Sequence, residues 1–145
     1  MIVDASAVLA IALGEEDAKR FSDVIALAQD PWMSAVNFVE AAIRMQRLRP
    51  AEARRTLDAL IGDSRISVRP VTVAQAEIAR EAHLAFGKGR HPARLNLGDC
   101  FAYALARESG RPLLYKGGDF AADGHRASAA ARLILAAAGG AGTRS

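Results

Sequence analysis

A chain of 145 residues with 51% hydrophobic and 24% charged side chains is sized for one compact domain with a core of its own. A single cysteine, Cys100, excludes a disulfide framework or a thiolate zinc cluster built within the chain and suits a reducing compartment. The net charge of +3 is too small to name a partner, and no apolar run approaches the roughly 18 residues of a membrane span, so a soluble cytoplasmic protein without membrane contact is expected.

Short apolar runs alternate with amphipathic helical patterns, which predicts an α/β domain with a central, mostly parallel sheet flanked by helices. Met1 to Val3 reads as a buried strand ending at Asp4. Ser6 then caps a short helix to Leu13, stopped by Gly14, and Glu15 to Ala28 reads as a second helix with acids in its first turn. After the Asp30-Pro31 turn, Trp32 to Ser34 is a candidate strand and Val36 to Leu48 a helix closed before Pro50. A helix from Ala51 to Ile61 ends at Gly62, and the alternating, Pro-containing stretch from Ile66 to Val71 predicts a strand near the sheet edge. Thr72 caps a helix to Phe86 whose apolar face carries Ile78, Ala79, Ala82 and Phe86. Gly87 to Arg94 is a basic loop, Leu97 to Glu108 a helix ended by Gly110, and Pro112 to Tyr115 a strand running into Lys116-Gly117-Gly118-Asp119.

Asp4 and Asp119 follow predicted strands and Asp99 opens a predicted helix, and in parallel sheets the ligand crevice lies beyond the carboxyl ends of the strands. Glu40 interrupts the apolar segment Ala35 to Ile43, where a charge needs a partner or an outward path. It shares a helical face with Asn37 and Arg44, so an exposed Glu40–Arg44 ion pair is the alternative to a functional role. For Asp99, three residues after Asn96, the alternative is an ordinary first-turn acid in a capping arrangement. Four such carboxylates offer hard oxygen ligands to Mg²⁺ or Mn²⁺. Setting four of the sixteen acids aside leaves nineteen basic side chains against twelve, a balance that favours a polyanion approaching an acidic hole with a basic rim. HExxH, CxxC, Walker and GxSxG patterns are absent, which removes zinc hydrolysis, P-loop chemistry and serine hydrolysis. His83, His91 and His125 do not read as ligands.

Four segments carry a resemblance. Met-Ile-Val-Asp-Ala-Ser-Ala-Val-Leu at the start, Ser-Ala-Val-Asn-Phe-Val-Glu-Ala around Glu40, Leu-Asn-Leu-Gly-Asp-Cys-Phe-Ala-Tyr-Ala-Leu-Ala around Asp99, and Leu-Leu-Tyr-Lys-Gly-Gly-Asp-Phe resemble the four motifs of PIN domains, and more narrowly VapC toxins of bacterial toxin–antitoxin pairs. The resemblance covers roughly Met1 to Phe120. It implies a metal-dependent endoribonuclease acting on RNA, with Asp4, Glu40, Asp99 and Asp119 as catalytic and metal-binding residues and Mg²⁺ or Mn²⁺ as cofactor. It also implies Ser6 and Asn96 as supports, a VapB-like antitoxin as partner, and a homodimer. Ser6 and Asn96 have helix capping as their alternative role. Arg44, Lys88, Arg90, Arg94 and Lys116 are candidate phosphate contacts.

The end of the chain departs from the pattern. Ala121-Ala122-Asp123-Gly124-His125 stands where such toxins carry a Thr-Asp, so Asp123 stays outside the expected set, and Ala127 to Ala138 reads as either a last strand or a helix. The PIN-like domain is expected to span 1–138, with 139–145 as a flexible tail. Two rival functions are a catalytically inactive binding module and an aspartyl-nucleophile phosphatase. The phosphatase lacks its second Asp two residues after Asp4, where Ser6 stands.

Overall fold

Four short strands lie side by side and parallel: β1 (Ile2–Val3), β2 (Trp32–Ser34), β3 (Ser67–Arg69) and β4 (Leu113–Lys116). They come from a computed structural model that describes residues 1–117 and the backbone of residues 131–134. The last segment is β5 (Ala131–Ile134), antiparallel to β4, and the strand order is β3-β2-β1-β4-β5. The chain moves outward in one direction from β1 to β3 and then returns to the other side of β1 with β4, so the order reverses at β1 and opens a crevice at its carboxyl end.

Among the described residues six helices cover the sheet: α1 (Ala5–Ala12), α2 (Ala18–Ala26), α3 (Ala35–Leu48), α4 (Ala53–Asp63), α5 (Val73–Phe86) and α6 (Leu97–Ser109). Strand alternation divides the core. Val3 faces α1 to α4 in a cluster with Val8, Phe21, Met33, Met45 and Leu57, while its neighbour Ile2 faces α6 with Ala102, Leu105 and Leu113. The packing of α5 onto α6 runs through the small side chains Ala79, Ala82, Cys100 and Ala104, which let the two helices approach closely. Trp32 closes the α6 face near the start of β2. Its indole carries the Arg111 guanidinium at 3.5 Å and that of Arg69 at 4.3 Å.

Several expected boundaries move for identifiable reasons. Asp4, extended at φ −77° and ψ 156°, caps α1 by accepting from Ser6 N–H, so Ser6 lies inside the helix rather than at its cap. Glu15 to Asp17 form a turn ahead of α2, with Ala18 N–H donating to Glu15 O at 2.9 Å, so the acids precede that helix. α4 continues through Gly62 to Asp63, and the break comes instead at Arg65, which takes the left-handed φ of 53°. Phe86 is 40% exposed instead of closing the apolar face of α5. The helical alternative for Ala127 to Ala138 is overturned over 131–134, where β5 satisfies the outer edge of β4 along its full length. Residues 135–145, including the expected tail, lie outside the described residues. Among the described residues no helix is long and apolar enough to cross a membrane.

Phe21 is fully buried whereas Leu27, one turn and a half later, is 86% exposed. Phe21→Ala is expected to cost about 3–5 kcal/mol in urea unfolding, and Leu27→Ala less than about 0.5 kcal/mol. Similar losses for the two would contradict this assignment of the core.

Candidate active site

Asp4 stands at the carboxyl end of the central strand and is only 4% exposed. Its Oδ2 accepts from Ser6 N–H at 2.8 Å and from the Ser6 hydroxyl at 2.5 Å, and its Oδ1 accepts from the Asn37 amide at 2.8 Å. The Ser6 oxygen in turn accepts from Lys116 N–H at 2.9 Å, which ties α1 to the end of β4. The Asn37 amide also donates to Gly98 O at 3.3 Å, which ties α3 to the start of α6. One carboxylate therefore gathers donors from two helices, and each donor anchors a further element.

Glu40 lies one turn beyond Asn37 on α3, half-buried against Gly98. A Cβ at Gly98 would meet the carboxylate end of Glu40, so a side chain there would make that flexible group swing aside. Glu40 makes no close ion pair with Arg44, which acts on it only at longer range. Asp99 and Asn96 form a reciprocal capping box: Asp99 N–H donates to Asn96 Oδ1 at 2.9 Å, and Asn96 N–H donates to Asp99 Oδ2 at 2.8 Å. Asp99 Oδ1 remains uncommitted by that motif, so capping and a role in the crevice coexist.

All three carboxylates hold their protons more tightly than usual. Burial is the leading cause for each. For Asp4 the hydrogen bonds from Ser6 and Ala5 and the charge of Arg44 oppose it. For Glu40 the charges of Asp4 and Asp99 add to it, and for Asp99 the charge of Asp4 adds while the Asn96 hydrogen bond and Arg44 oppose. Asp4, Glu40 and Asp99 are thus one electrostatic group, with Arg44 as their common counter-charge.

Asp119, Gly118 and Asp123 lie outside the described residues. Among the described residues, no three His, Cys, Asp or Glu side chains converge on one ion position. The donor set present nonetheless suits a hard divalent cation. It consists of oxygens, its carboxylates repel one another, and the fully buried Asn37, bonded to Asp4 through its amide nitrogen, leaves its Oδ1 without a partner among the described residues. Asn37 and Gly98 are the two residues of the crevice that the motif reading left out of the site. The available signal was an amide in an apolar run, one turn ahead of Glu40.

The basic candidates separate. Arg44 is exposed on α3 beside the acids. Arg94 lines a cavity with Asp4 and Asp99, and Lys88 and Arg90 are exposed on the loop that carries it. Lys116 pairs through its ammonium with Glu15, which offsets its charge. The phosphatase alternative needs a second Asp two residues after Asp4, and the residue there is Ser6, whose hydroxyl is bound to the Asp4 carboxylate.

The PIN domain profile matches residues 1–138. The chain is 46% identical over 121 residues to Ribonuclease VapC28 of Mycobacterium tuberculosis, spanning 83% of this chain and 91% of that one. It is 45% identical over 121 residues to Ribonuclease VapC42 of the same organism, with 83% and 92% of the two chains covered. Its fold is similar to the crystal structure of VapC20, a Sarcin-Ricin loop cleaving toxin of Mycobacterium tuberculosis, with a TM-score of 0.66 over 83% of this chain and 92% of that one, at 22% identity.

The raised pKa values fix the sign of a pH effect. A carboxylic acid whose folded pKa lies above its unfolded one contributes stability that is fully present below the unfolded pKa and is lost as pH rises through the folded pKa. Near neutrality the three acids therefore strain the cation-free fold. Glu40 is the cleanest probe, because its carboxylate has no hydrogen-bond partner among the described residues. In chelator, Glu40→Gln should melt above wild type at pH 7.5, with the difference shrinking toward pH 4. A Glu40→Gln protein that melts lower at pH 7.5 would show that Arg44 already compensates that charge.

Proposed function

The chain belongs to the PIN domain family, and on that premise we propose that it is an endoribonuclease that hydrolyses RNA phosphodiesters with Asp4, Glu40, Asp99 and Asp119 arranged around divalent cations. The observation that carries the reading is the grouping of three carboxylates with raised pKa values: Asp4 and Asp99 line one cavity, the Glu40 carboxylate lies against Gly98 next to Asp99, and Asn37 bridges Asp4 to Gly98. The identity with named ribonucleases over most of both chains supports RNA as the substrate.

Asp4 and Asp99 are suited to hold Mg²⁺ or Mn²⁺, with Asp119 expected to join them. A bound ion of that kind activates water and offsets charge on a phosphoryl group. The protein's own part is positional. Ser6 and Asn37 fix both oxygens of Asp4, and the capping box leaves one oxygen of Asp99 free. Glu40, unbonded and with a raised pKa, is suited to accept a proton from the attacking water. Arg44, Lys88, Arg90 and Arg94 are placed to receive flanking phosphates, with Lys116 a weaker candidate while it is paired with Glu15. The biological setting in this reading is that of a toxin restrained by a VapB-like antitoxin, acting in the cytoplasm as a homodimer. The domain is taken to extend over 1–138, with 139–145 as a tail.

Asp99→Asn tests the assignment. Asparagine keeps an oxygen that accepts from Asn96 N–H, so far-UV circular dichroism should match wild type while cleavage of labelled RNA in Mg²⁺ falls at least about 100-fold, the scale on which single active-site groups act. EDTA should silence the wild type. Full activity in the variant, or in thoroughly chelated wild type, would contradict the proposal, and a wild type that binds RNA but never cuts it would leave the inactive binding module.

A further inference from the structure

A cavity of about 450 Å³ opens directly beside Asp4 and Asp99, between α6, β4 and the loop from Gly87 to Leu95. Its other walls include the rings of Phe86, Tyr103 and Tyr115 and the side chain of Arg94. The volume falls within the roughly 300–1,000 Å³ typical of ligand pockets. The geometry points to this cavity as a subsite for one unpaired nucleobase of RNA, stacked on Phe86 and next to the phosphodiester held at the acids. The inference rests on the ribonuclease reading and deepens it.

The loop is built rather than slack. Leu95 N–H donates to Phe86 O at 3.0 Å and Lys88 N–H donates to Leu95 O at 3.2 Å, closing it at its base, while Gly89 and Arg94 adopt positive φ of 86° and 48°. Within it, Ala93 N–H donates to His91 Nδ1 at 3.0 Å, which sets the imidazole against Phe86 in an edge-to-face contact with centroids 5.2 Å apart. Phe86 is thus an apolar ring left 40% exposed at the end of α5, yet held in orientation by a neighbour. Tyr103 and Tyr115 each pack one side into the core, Tyr103 against the α5–α6 seam and Tyr115 against the α6 face of the sheet.

The chemistry of the walls selects the occupant. Three aromatic residues line it, and stacking on an aromatic ring, which every nucleobase can use, is how single-stranded RNA is commonly held. Apart from Asp4, Asp99, Arg94 and Lys116 the walls are apolar or aromatic, so the flat, uncharged part of a nucleotide suits the cavity better than its phosphate. Arg94 on the wall and Lys88 and Arg90 on the exposed loop are available to its neighbouring phosphates. A stacking subsite predicts a requirement for a base at one position with little preference for which base.

The test is an abasic scan of a short single-stranded RNA, read both as binding by fluorescence anisotropy in EDTA and as cleavage in Mg²⁺. Removing the base at one position should weaken binding, kcat/KM or both by about tenfold, the scale of one base–aromatic stack. Phe86→Ala should abolish that difference, with intact RNA falling to the level of abasic RNA, and Phe86→Trp should restore it. Intact and abasic RNA handled alike in both measurements overturns the subsite and leaves the cavity to an occupant such as a peptide side chain. Cleavage without base discrimination sinks the subsite alone, whereas discrimination in binding without any cleavage sinks the ribonuclease reading alone.

Discussion

The buried carboxylate of Asp4 is the constraint around which the rest of the site is arranged. An acid at the end of the central strand, almost without solvent, must find donors inside the protein or remain protonated. It finds them in Ser6 of α1 and Asn37 of α3, and each partner reaches onward, Ser6 to the backbone of β4 and Asn37 to the carbonyl of Gly98 at the start of α6. The same hydrogen bonds that stabilise the ionised Asp4 therefore set the spacing between the helix carrying Glu40 and the helix carrying Asp99. Fold and site are joined at this carboxylate.

The three acids share one identified counter-charge. Burial raises the proton affinity of Asp4, Glu40 and Asp99, the charges of the acids reinforce it for Glu40 and Asp99, and Arg44 is the nearest counterweight common to all three. Asn37 adds a fully buried oxygen with no partner among the described residues. In the proposed function a bound divalent cation would offset these features, since a ligand that binds the native state alone stabilises it by mass action.

Much of this was readable in the amino-acid sequence, for reasons that differ by residue. Trp32 to Ser34 and the Thr72 cap were recovered because turn and capping chemistry is local. The Asn96–Asp99 capping box was visible in the same way. Asp4 was found as a strand-terminal acid, but its role as the cap of α1 was assigned to Ser6, since the motif alone does not reveal which residue stays extended. Asn37 shared a helical face with Glu40 in the sequence, yet its importance depends on a bond across 33 residues to Asp4 that periodicity does not encode. Gly98 is similar. Its place beside the Glu40 carboxylate is a contact between helices far apart in the chain. The pairing of β5 with β4 is likewise non-local, and an alanine-rich segment carries little pattern to announce it.

In the proposed function the crevice at the end of β1 is a divalent-cation site held by Asp4 and Asp99. Crystals equilibrated with millimolar Mn²⁺ and measured for anomalous scattering would address it directly. A peak bounded by oxygens of both Asp4 and Asp99 is the predicted result. An empty crevice at that concentration, or Mn²⁺ found only elsewhere, such as at Glu15, Glu16 and Asp17, would contradict the account.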